Sequence, residues 1–212
     1  MDVAQILIYP LKCIFKDPGY LIPPLLPAIV GIIYTAKGPS TKEMITISLI
    51  AQMVLGLFSS TVLTDMALRG YQGKPSSLLT SLSKALSRFP TALAASFLIA
   101  TAAMAGLILL IIPGILVLVF TFFTLQEVVL ENKGITEAIK ESIALVKTNF
   151  LFTLSLFLYL TSLTMLLEAL SASVSPFASF VTAMVISPYV TLAITFCYLE
   201  MKKGTVITPP PP

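Results

Sequence analysis

Between Thr91 and Gln126 the sequence carries no charged side chain. At 1.5 Å of rise per residue, one unbroken helix of that length would reach about 54 Å, against a bilayer hydrocarbon core of about 30 Å. The stretch must therefore fold back or break. Pro113-Gly114, inside the run Leu110-Ile111-Ile112-Pro113-Gly114-Ile115, supplies the break, because proline bars continuation of a helix and glycine permits a turn. Membrane spans are expected over about 91–111 and 115–130.

The remaining chain fits the same solvent. Hydrophobic residues make up 57% of the 212 and charged residues 11%, where a soluble domain carries about a quarter charged. Further apolar tracts run over 20–36, opening with Pro23, Pro24 and Pro27, over 44–68, and over 150–199. The last divides at Ser171-Ala172-Ser173-Val174-Ser175-Pro176. The expected fold is all-α: a polytopic transmembrane bundle of six spans, residues 1–204 forming one domain and 205–212 a Pro-rich tail that ends in Pro209–Pro212.

Three segments have helical period but too much charge to cross: 3–15, 77–89 and 136–149. Each sets an apolar stripe beside cations, which suits either the cytoplasmic-side lipid interface or a short helix packed on the bundle. Span two, segment 77–89 and span three repeat the order of span four, segment 136–149 and span five, so a parallel internal repeat is expected. Eleven of the thirteen basic residues fall on one side of this layout, and only Lys37 and Lys42 on the other. The positive-inside rule then places both termini in the cytoplasm of a cell-membrane protein.

Local patterns narrow the chemistry. The chain has no histidine, and neither HExxH nor GxSxG occurs, so neither a metal-held nor a base-activated nucleophile is signalled. No cofactor or metal is expected. Cys13 and Cys197 stand alone and read as small packing residues. A net charge of +3 is too small to suggest nucleic acid. Gln52, Asp65, Gln126 and Glu127 are the candidate polar groups inside the membrane, where burial is costly and often functional. Asp65 and Arg69 have the four-residue spacing of a helical ion pair. These acids read either as interfacial groups that pair or snorkel or, for Glu127 beside Gln126, as a polar site. Lys84, Arg88, Lys140 and Lys147 flank the apolar stripes and are candidate lipid-headgroup contacts. Small residues at four-residue spacing (Ala92, Ser96 and Ala100; Gly56 and Ser60) suit close helix contacts, within one chain, with a second copy or with another membrane protein.

The run Ile112-Pro113-Gly114-Ile115, then Val129-Leu130-Glu131-Asn132, then Ala138-Ile139-Lys140-Glu141-Ser142 and Lys147 resembles the membrane domain attached to some glycerophosphodiester phosphodiesterases and related small prokaryotic membrane proteins. Pro113, Gly114, Glu131 and Ser142 are the positions that carry the likeness. The resemblance implies a six-helix fold. It implies no phosphodiesterase activity, because the catalytic barrel and its histidines are absent. The expected role is therefore a non-enzymatic membrane protein that organises, senses or handles lipid. A transporter or channel for a small or amphiphilic solute is the alternative, and it would need a continuous polar cavity near Gln52, Asp65 or Glu127.

Overall fold

A computed structural model describes residues 3–36, 41–74 and 77–206; Lys37 and the Pro209–Pro212 tail lie outside them. Helix accounts for 92% of the described residues and none forms a strand. In chain order the helices are α1 (Val3–Lys16), a 3-10 turn (Pro18–Leu21), α2 (Ile22–Ala36), α3 (Lys42–Tyr71), α4 (Leu78–Leu109), α5 (Ile111–Phe120), α6 (Thr124–Leu130), α7 (Ile135–Thr148), α8 (Phe150–Val174) and α9 (Pro176–Val206). Six segments are long and apolar enough to cross a bilayer: Pro18–Ala36, Lys42–Tyr71, Leu78–Leu109, Ile111–Leu130, Phe150–Val174 and Phe177–Gly204. The protein is an α-helical membrane protein.

Local chemistry explains the starts. The Asp17 carboxylate accepts the Gly19 N–H at 2.9 Å and caps the 3-10 turn. Pro23 and Pro24 then stand in the first turn of α2, where amides have no helical partner in any case. Thr41 caps α3, accepting from the Met44 N–H.

The structure moves two expected boundaries. Between spans three and four the chain breaks at Leu110 (φ −161°, ψ 141°), three residues before Pro113. Pro113 sits in the first turn of α5, where its missing N–H costs nothing. Gly114 is helical and buried. A Cβ built on Gly106 would lie 2.8 Å from the Gly114 nitrogen, so the pair of glycines lets α4 and α5 touch backbone to backbone. Gly114 thus serves close approach, not the turn. The second difference is that 77–89 is no separate interfacial helix. It runs on into span three as the single helix α4, with Pro90 inside it at an exposed position. Thirty-two residues reach about 48 Å, so one end of α4 extends beyond a hydrocarbon core.

Helix α9 packs against α1, α2, α3 and α8. Its Ala193, Cys197 and Tyr198 are fully buried and join Val119 and Phe123 in the main core. Helix α8 is the opposite case, exposing Leu151, Leu158, Met165, Leu166 and Leu170. Such a surface would be an aggregation site in water and is ordinary against lipid tails.

Candidate functional site at the charged end of the bundle

Two carboxylates are buried at the same end of the bundle. Asp65 is 2% exposed and Glu127 is inaccessible. Burying an ionised carboxylate demands partners, and both have them. Arg69 Nε donates to Asp65 Oδ2 at 2.9 Å from one turn further along α3. Ser81 Oγ donates to the same oxygen at 2.8 Å, and Lys84 Nζ lies 3.0 Å from Oδ1, both reaching across from α4. Glu127 is met by Lys133 Nζ at 2.9 Å, from the turn after α6, and by Lys202 Nζ at 3.3 Å, from α9. Lys202 also reaches Glu131 at 3.1 Å, while Tyr198 Oη donates to Glu131 at 3.4 Å.

The surrounding backbone shows why these groups meet. Span four is broken at Thr121, Phe122 and Phe123, just before α6. Ser142, inaccessible on α7, mends the break: its hydroxyl accepts from the Phe123 N–H at 3.1 Å and donates to the Phe120 carbonyl at 3.0 Å. Helix α6 ends at Leu130, and two residues on stands Asn132, the one non-glycine residue with positive φ (59°) among those described, a conformation asparagine tolerates. Its carbonyl accepts from Arg88 Nη1 at 3.3 Å. Burial works to lower the pKa of Lys133, but the hydrogen bond and charge of Glu127, with Glu141 and Glu131, outweigh it and hold the ammonium above its ordinary value.

The two carboxylate sites are related by the internal repeat. Buried Val62, Thr64, Asp65, Met66 and Ala67 recur 62 residues later as buried Thr124, Gln126, Glu127, Val128 and Val129. Buried Ser81, Ala85, Ala92 and Ala95 recur 61 residues later as Ser142, Val146, Thr153 and Leu156, also buried. The repeat is plainer in burial than in residue identity.

The other candidates are dispersed. Gln52 gives its amide to Ser48 Oγ at 3.1 Å on its own helix, away from the charged end. Gln126 is buried beside Glu127, and its Oε1 has no hydrogen-bond partner among the described residues. Lys84 is tied to Asp65 and Arg88 to the Asn132 carbonyl, both half-buried, while Lys140 and Lys147 are exposed. Lys133 and Lys202 escaped sequence reasoning. Lys133 follows the helix end by three residues, and Lys202 is 75 residues from Glu127 with no local signal.

Residues 76–200, more than half of the chain, match the family described as a domain of unknown function, DUF7847. The chain belongs to the DUF7847 family. The DUF7847 region takes in α4 to α8 and most of α9, and so holds the Glu127 cluster whole except for Lys202. Asp65 and Arg69 precede it. No curated protein and no solved structure matches the chain.

Proposed function

We propose that the chain is a non-enzymatic, multi-pass protein of the cell membrane, both termini cytoplasmic, that organises or senses lipid at the cytoplasmic leaflet. The observation that carries this reading is the outward face of α1. Ile8 and Leu11 are about half exposed and Phe15 is 85% exposed, with Lys12 and Lys16 exposed between them. Three large apolar side chains beside two cations suit a headgroup boundary, where the apolar groups enter the acyl region and the ammoniums meet lipid phosphates. Leu79 and Leu86 are likewise exposed at the charged end of α4. The eleven basic residues on this side support a cytoplasmic placement, and the lack of histidine supports a non-enzymatic role.

A transporter would need polar groups free to meet a solute. Asp65 is instead committed to Arg69, Ser81 and Lys84, and Glu127 to Lys133 and Lys202, which weighs toward the lipid reading. Kinship with the membrane domain of glycerophosphodiester phosphodiesterases is a second proposal, resting on the pattern over 112–147 alone.

The test is the composition of the lipid shell. In nanodiscs of equal parts phosphatidylglycerol and phosphatidylcholine, the lipid co-isolated with the protein is expected to be enriched in phosphatidylglycerol. Lys140→Glu with Lys147→Glu should lower that enrichment. A shell identical to the bulk mixture would overturn the reading.

A further inference from the structure

The last two turns of α1 separate two unlike recesses. On one side, a cavity of about 600 Å³ lies between α1 and the end of α3, lined by Tyr9, Lys12, Lys16, Asp17, Tyr20 and Lys74 among others. On the other, a groove of about 580 Å³ is lined by Leu11, Ile14 and Phe15 of α1 and by Leu163 and Leu167 of α8, with almost no polar surface. Both volumes are in the range of small-ligand sites.

The basic cavity is built by identifiable chemistry. Lys12 and Lys16 are one turn apart on α1. Lys74 is brought opposite them by the reversal that ends α3, where Gly73 takes φ +69° and the Lys74 N–H donates to the Arg69 carbonyl at 3.0 Å. Tyr20 closes the floor: it is 3% exposed and its hydroxyl donates to the Met66 carbonyl at 3.2 Å. Burial raises the Tyr9 hydroxyl and the Cys13 thiol above their ordinary pKa values, so both line the cavity uncharged. Asp17 is the acid in the lining, and it already accepts the Gly19 N–H. Lys84, Lys133, Lys202 and Lys203 each pair with a protein carboxylate. Among the described residues, no such ion pair reaches Lys12, Lys16 or Lys74. Three ammoniums against one carboxylate leave an electropositive recess at the headgroup level, where an ammonium acts as a point-charge phosphate binder.

We propose that this cavity binds the phosphate headgroup of one anionic glycerophospholipid per chain, with an acyl chain of that lipid lying in the apolar groove across α1. The proposal rests on the lipid reading above and narrows it to a single site. A soluble phosphate would use the basic cavity alone. The groove is what favours a lipid, because one helix then presents a cationic and an apolar recess at the depths where a lipid carries its head and its tail.

The experiment is native mass spectrometry of the full chain released from the same mixed nanodiscs. One phosphatidylglycerol should stay bound through mild activation. Lys74→Gln should reduce the retained fraction about tenfold, the loss expected from one charge-assisted contact, while Lys74→Arg keeps it. Leu163→Ser, on the groove, should weaken retention without changing the shell. Retention unaltered by Lys74→Gln would overturn the proposal. So would inorganic phosphate or glycerol 3-phosphate displacing the lipid at millimolar concentration, which would make the site one for a free anion. An enriched shell with no discrete bound lipid would end this inference and leave the lipid reading standing, whereas an unenriched shell would end the reading itself.

Discussion

Asp65 and Glu127 occupy equivalent places in two units of one fold, yet their charge is met in different ways. Asp65 is served from within its own unit, by Arg69 one turn along α3 and by Ser81 and Lys84 on the following helix. Glu127 draws on Lys133 from the adjoining turn and on Lys202 from α9, 75 residues away. The equivalent serines diverge in step. Ser81 solvates a carboxylate, whereas Ser142 reconnects the broken backbone of span four. In the first unit the descending helix is continuous and the following one, α4, runs unbroken into the membrane; in the second, breaks fall before α6 and between α7 and α8. A repeat can thus keep its burial pattern while the work of each position changes with the local continuity of the backbone.

The contrast sets an order of expected effects. The largest belongs to Lys133→Met with Lys202→Met, which leaves the inaccessible Glu127 carboxylate without a cation. Thermal unfolding in detergent should register a loss of about 3–5 kcal/mol. A loss as large from removing Lys84 alone would erase the difference, since Asp65 keeps Arg69 and Ser81. Next come the serines. Ser142→Ala strands a buried N–H and a carbonyl, for about 1–3 kcal/mol, while Ser81→Ala removes one of three partners of Asp65, for about 1 kcal/mol. Equal effects would mean that the break in span four needs no bridge. Lys202→Met alone should cost less than the double change and should loosen α9 from α6, read as faster hydrogen exchange at the end of α9.

The smallest effect is alkaline. Because the folded-state pKa of Lys133 is raised, its contribution is fully present below the ordinary lysine value of 10.5 and is lost as pH climbs through the raised one. The protein should therefore lose stability above that pH more steeply than its Lys133→Arg variant. Parallel profiles would remove Lys133 from the account.

Much of the fold was legible because lipid imposes a coarse rule: about 20 apolar residues per crossing, whatever their identity. The Asp65–Arg69 pair was legible because helical spacing alone brings the two together. The break before Pro113 was not, since a proline is energetically silent throughout the first turn of a helix, and the sequence alone leaves the preceding residues equivalent. Nor was the continuity of α4, where charge marks the edge of the membrane and says nothing of where a helix stops. The Glu127–Lys202 contact needed the tertiary fold. The same fold ties Lys84 to Asp65 and Arg88 to the Asn132 carbonyl, and places Lys12, Lys16 and Lys74 together.

Everything proposed for lipid depends on the charged end meeting the cytoplasmic leaflet. The most direct test is labelling with a membrane-impermeant maleimide in a background lacking Cys13 and Cys197, with single cysteines at Leu110, on the α4–α5 connection, and at Lys140, on α7. Leu110→Cys should react in intact cells and Lys140→Cys only after permeabilisation. Lys140→Cys reacting in intact cells while Leu110→Cys stays protected would invert the protein and contradict the account.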